Sequence, residues 1–147
     1  MVSTYDQVED IQTAASYLRS QGNVKKDAIS VLGWSCGGGG ALAAAIAGEG
    51  INAAVAYYPG CRHLPDEAVN VPTLVLFGEA DDVVSIEICE RIFSASKTLT
   101  LRKYLGANHG FDNPKFDPPR QYRFGTLGYN EPATKAAWAE LEKFLKR

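Results

Sequence analysis

The stretch "LGWSCGGGGA", Leu32 to Ala41, places a serine and a cysteine side by side at the end of an apolar run and ahead of four glycines. A reactive side chain on a sharp strand-to-helix turn needs small residues two positions before and two after it. Counted from Ser35, those positions are Gly33 and Gly37. Counted from Cys36 they are Trp34 and Gly38, which would force an indole into the crowded position. The register favours Ser35 as the nucleophile, although cysteine is the better intrinsic nucleophile at neutral pH.

Working outward, the chain alternates short apolar runs with longer helical patterns. An opening helix is expected from Val8, Ile11, Ala15 and Leu18, and "SQGN" closes it. "AISVLG", "INAAVAYY", "PTLVLFG" and "LTLRKYL" then read as strands, separated by "GGALAAAIAG" and "SIEICERIFSA" as helices. This is the rhythm of parallel strands joined by crossover helices. The near-continuous apolarity of "AAVAYY" and "TLVLF" suits strands covered on both faces. "NPKFDPPRQYRFGTLGYNEP" reads as a polar loop. A last helix follows, capped by Asn130, with Pro132 in its first turn and Trp138, Leu141 and Leu145 along one stripe. The expected fold class is α/β, with about four predominantly parallel strands and a single domain over residues 1–147.

Composition narrows the functions. With 147 residues, 46% of them hydrophobic, the chain can build one core. A formal charge of -2 with interspersed signs gives no footprint for nucleic acid and no polybasic membrane patch. No apolar run approaches the roughly 20 residues of a membrane helix, and "MVSTYDQVED" lacks a signal-peptide profile. A cytoplasmic protein is expected. Cys36, Cys61 and Cys89 are odd in number and unclustered, so neither a disulfide framework nor a zinc knuckle is expected.

Ser35 needs a base and an acid. His109 in "LGANHGF" follows the last strand, where a polar loop can return to the strand ends; His63 in "GCRHLPDE" is the other candidate and reads as structural. Beyond the "TLVLF" strand stand Glu79, Asp81 and Asp82. Asp81, three residues past Gly78, is placed to face inward, whereas Asp82 reads as a helix cap or a solvated group. The helix after Ser35 directs backbone N–H groups at the turn, and that of Cys36 is the natural first donor to an oxyanion. Ligands for a metal around His63 (Cys61, Asp66, Glu67) are poorly spaced. The chemistry calls for no metal and no cofactor.

Together, "GWSCGGGGAL", "PTLVLFGEADDVV" and "YLGANHGFDNP" resemble the elbow, acid loop and histidine loop of the dienelactone hydrolase family of α/β-hydrolases. The resemblance implies a three-layer fold and a catalytic triad of Ser35, Asp81 and His109. It also implies hydrolysis of a small carboxylic ester or lactone. Dienelactone hydrolases proper carry cysteine at the nucleophile position, so the resemblance supports a broader ester or lactone hydrolase. A Cys36-dependent enzyme and an inactive domain are the alternatives. The resemblance covers only the carboxyl-terminal part of that fold, without the strands and the loop that supply a second oxyanion donor. A truncated α/β-hydrolase-like sheet of this kind leaves an edge near "AISVLG", and a homodimer or larger assembly is expected to cover it.

Overall fold

A computed structural model describes residues 4–146. The opening amphipathic segment forms α1 (Thr4–Ser20), and β1 (Ser30–Trp34) leads directly into α2 (Cys36–Ala47). The chain continues through β2 (Ala53–Tyr57), β3 (Thr73–Gly78), α3 (Ile86–Ala95) and β4 (Leu99–Tyr104). A short 3-10 turn (Pro114–Phe116) precedes the strands β5 (Arg120–Tyr122) and β6 (Gly125–Leu127), and α4 (Glu131–Leu145) comes last.

The main sheet is parallel throughout, in the order β1-β2-β3-β4. Its two central strands are almost wholly buried, because alternate residues of a strand point to opposite faces and both faces are covered. Ala54, Ala56, Val75 and Phe77 join Leu42, Ile46, Cys89 and Ile92 in a core that also takes in Ala15 of α1. Their neighbours Val55, Tyr57, Leu74 and Leu76 turn the other way, onto Phe111 and α4. Three layers result: α1, α2 and α3 on one face, the sheet, and α4 on the other.

Three features differ from the sequence reading. The polar stretch after β4 contains an antiparallel hairpin, β5–β6, where only a loop was expected. Asn130 does cap α4, accepting from the Ala133 N–H at 3.0 Å, but the buried stripe is Ala133, Ala137, Leu141 and Phe144. Trp138 and Leu145 are half exposed; the small alanines let α4 approach the sheet, which swings the larger groups outward. Finally, Cys61 and Cys89 form a disulfide, tying the segment after β2 to α3. Their 28-residue separation hid the pairing in a chain with an odd number of cysteines.

Candidate active site

All three expected site residues lie just beyond carboxyl ends of strands of the parallel sheet, where open α/β folds gather ligands. Ser35 stands between β1 and α2 with φ 52° and ψ -117°, a backbone region that side chains other than glycine rarely enter. The turn is that tight because β1 and α2 nearly touch. A Cβ on Gly33 would lie 2.1 Å from the carbonyl oxygen of Gly37, so that position admits glycine alone. At Gly37 itself a Cβ would meet open space, so only the upstream small residue of the expected pair is a steric necessity.

The turn is fixed by its own backbone. The Ser35 N–H donates to the Tyr57 carbonyl at 3.0 Å, and the Ser35 carbonyl accepts from the Gly39 N–H at 3.0 Å. This last bond opens the helical ladder of α2. The N–H groups of Cys36, Gly37 and Gly38 therefore precede the ladder, at the positive end of the helix. The Cys36 side chain is a free, exposed thiol.

Asp81 is held by an Asx turn: one carboxylate oxygen accepts from the N–H groups of Val83 (2.9 Å) and Val84 (3.1 Å). Its other oxygen lies 2.8 Å from His109 Nδ1, and the Asp81 side chain is completely buried. Nε2 of the same imidazole lies 2.9 Å from Ser35 Oγ. A carboxylate can only accept, so the proton sits on Nδ1 and the Nε2 lone pair is left to accept the serine O–H. The acid and histidine loops are laced together, with the Ala80 N–H on the Ala107 carbonyl (3.0 Å) and the Asn108 amide on the Ala80 carbonyl (2.9 Å). Gly78 makes the lacing possible, since a Cβ there would sit 2.2 Å from the Ala107 oxygen.

Asp82 turns away from this line and does not cap α3. Its carboxylate accepts from the Thr126 N–H (2.6 Å) and hydroxyl (3.0 Å), which anchors the β5–β6 hairpin to the acid loop. Those bonds, the backbone one first, hold the Asp82 carboxyl below the usual carboxylate range. The hairpin also meets the histidine loop, through the Gly128 N–H on the His109 carbonyl at 3.2 Å. At its tip Tyr122 and Phe124 stack, exposed, with centroids 5.5 Å apart. Beside Asp81, a cleft of about 400 Å³ is lined by Gly60, Arg62, Asp82 and Val83 among others.

His63 is exposed and apart from this arrangement. Its neighbours are otherwise engaged, Cys61 in the disulfide and Asp66 with Arg91 at 2.8 Å. Among the described residues no cluster suited to a metal ion occurs. Two residues that the sequence did not single out do reach the site. Tyr58, the residue after β2, packs its ring 4.5 Å from the His109 imidazole, and Asp112 accepts from the Tyr58 hydroxyl at 2.6 Å. No motif marks Tyr58, and its positive φ of 35° leaves no trace in the sequence.

The sequence model of the dienelactone hydrolase family matches residues 2–147. No curated protein sequence matches significantly. Among solved structures, a dienelactone hydrolase-like promiscuous phosphotriesterase from metagenomic libraries superposes with a TM-score of 0.79 at 19% identity, over 97% of this chain and 61% of its own. A dienelactone hydrolase-like protein of Klebsiella pneumoniae subsp. pneumoniae gives 0.78 at 18% identity, over 99% and 62%. An α/β hydrolase from a Medee basin deep-sea metagenome gives 0.65 at 23% identity, over 95% and 65%. The chain thus spans somewhat less than two thirds of the length of these structures.

Proposed function

The chain belongs to the dienelactone hydrolase family, and from that premise we propose that it is a serine hydrolase of small carboxylic esters or lactones. The observation that carries this reading is the unbroken line from Ser35 Oγ through His109 to the buried Asp81, with separations of 2.9 and 2.8 Å. In the proposed reaction His109 Nε2 takes the serine proton as Oγ attacks the carbonyl carbon. Asp81 steadies the imidazolium that forms. The oxyanion faces the Cys36 N–H at the start of α2. Collapse of the tetrahedral adduct expels the alcohol oxygen, which receives the proton from Nε2, and water then releases the acyl group by the reverse path.

Assignment of the nucleophile to Ser35 over Cys36 is supported by two facts. Ser35 carries the strained elbow backbone and faces Nε2, whereas the Cys36 side chain is exposed on the first residue of the helix. A burst of product from a chromogenic ester, together with stoichiometric labelling by a fluorophosphonate, is expected to vanish in Ser35→Ala and persist in Cys36→Ala. Labelling lost only in Cys36→Ala would overturn the assignment. Silence of the folded wild-type chain would favour an inactive domain.

A further inference from the structure

Outside the triad, one carboxylate sits at the meeting point of the loops that build the site. Asp112, three residues after His109, accepts from Trp34 Nε1–H through one oxygen (2.7 Å) and from the Tyr58 hydroxyl through the other (2.6 Å). Trp34 is the residue immediately before Ser35, and Tyr58 immediately follows β2. The bonds therefore join the nucleophile elbow, the β2 end and the histidine loop. Hydrogen bonds to an ionised acceptor are about twice as strong as neutral ones, and no cation among the described residues pairs with Asp112 to compete for it.

We infer that Asp112 and Tyr58 act as positioning residues, a clamp that keeps the His109 imidazole aimed at Ser35. This rests on the serine hydrolase reading. The geometric reason lies in what the triad itself leaves loose. The Asp81–His109 hydrogen bond fixes one ring atom, yet the imidazole can still tilt about that contact. The Tyr58 ring, buried and tilted 57° to the imidazole at 4.5 Å, closes that freedom on one face. Tyr58 is in turn held by its hydroxyl on Asp112, and its φ of 35° is a conformation a non-glycine residue keeps only when its surroundings impose it. Burial, and then the bond to Asp112, make the Tyr58 hydroxyl a weaker acid than free tyrosine, so it remains a donor across the working pH range. Trp34 completes the device by tying the same carboxylate to the strand that delivers the nucleophile.

The test uses Tyr58→Phe, which removes one oxygen and keeps the ring, Asp112→Asn, which keeps the volume and spoils one of the two acceptors, and the double variant. Steady-state kinetics on a chromogenic acetate ester and the rate of fluorophosphonate labelling are compared with thermal melts and with the proton NMR signal of His109 Nδ1–H. Each single variant is expected to lower kcat about tenfold or more, the scale of a small misplacement of a catalytic group, with KM changed by less than about twofold. The double variant should be no worse than the poorer single one, because both remove the same clamp. The Nδ1–H signal should broaden in Tyr58→Phe. Wild-type kcat in well-folded variants, losses that multiply in the double variant, or an effect confined to KM would overturn the inference. Should Asp112→Asn fold poorly, Tyr58→Phe decides alone. Should the wild type prove inactive on esters, the serine hydrolase reading falls, and the NMR arm still decides the clamp: an unchanged Nδ1–H signal in Tyr58→Phe would overturn it.

Discussion

Replacing Ser35 by glycine and, separately, by alanine separates the stability cost of the nucleophile elbow from its chemistry. Both substitutions delete Oγ and with it the 2.9 Å contact to His109, so that loss cancels in the comparison. What differs is the backbone. At φ 52° and ψ -117° alanine inherits the strain of serine, on the order of 1–3 kcal/mol for a residue held in such a region, and glycine is released from it. Against this, glycine loses about 0.4–1 kcal/mol more chain entropy than alanine on folding. Ser35→Gly should therefore be the more stable of the two by about 1 kcal/mol, which for a chain of this size raises Tm by about 2–4 °C. Thermal and urea unfolding of the two proteins measure this directly, and both should be inert toward a chromogenic ester. A Ser35→Ala protein equal to or more stable than Ser35→Gly would refute the claim that the elbow stores strain. The tight turn would then have to be an unstrained consequence of the glycines around it.

Four further outcomes are expected. Gly33→Ala should cost about 3 kcal/mol or more, at the upper end of overpacking penalties, because the new Cβ meets rigid backbone 2.1 Å away; urea denaturation reads the loss. Asp82→Ala should free the hairpin, seen as faster trypsin cleavage after the exposed Arg120 and Arg123. Because Thr126 depresses the Asp82 pKa, this anchor is intact at neutral pH and is lost as pH falls through and below the carboxylate range, so acid should mimic the substitution in wild type. Removing the Cys61–Cys89 bond by Cys61→Ala should cost about 3–4 kcal/mol on loop-closure grounds for a 28-residue separation; a linked peptide in unreduced digests would also favour an oxidising compartment over the cytoplasm. Because among the described residues β1 pairs only with β2 in the main sheet, a homodimer covering its open edge should appear as concentration-dependent sedimentation, and a monomer persisting at micromolar concentration would refute it.

The parallel sheet was legible because β2 and β3 are apolar on both faces, a pattern that few other structures tolerate. The elbow was legible because Gly33 is sterically compulsory. What escaped the sequence depends on partners distant along the chain. Strands β5 and β6 are three residues each, too short to show a period, and Asp82 lies 44 residues from the Thr126 it anchors. The face of α4 was misread toward Trp138 because the residues that pack on the sheet include alanines, whose small size is the reason for the close approach and also the reason the periodicity is faint. Tyr58 and Asp112 carry no motif, since each acquires its role only when the histidine loop folds back onto the ends of β1 and β2.

Three carboxylates cluster on these loops, and their surroundings assign them different work. Asp82 is exposed and binds backbone and hydroxyl donors of a hairpin, so its charge is spent on holding a loop. Asp112 receives an indole N–H and a phenol O–H, neutral donors on rigid rings, which suits it to setting the angle between segments. Asp81 alone is fully buried with one oxygen committed to two backbone N–H groups and the other facing an imidazole. Its orientation is fixed before any proton moves. Its second oxygen is closed off from solvent, so in the proposed reaction a positive charge on His109 would face it with little screening. Asp81 and Asp82 are adjacent in the sequence, and burial separates them: the Asp81 carboxylate is closed off against the His109 imidazole, while that of Asp82 is exposed and engaged by Thr126.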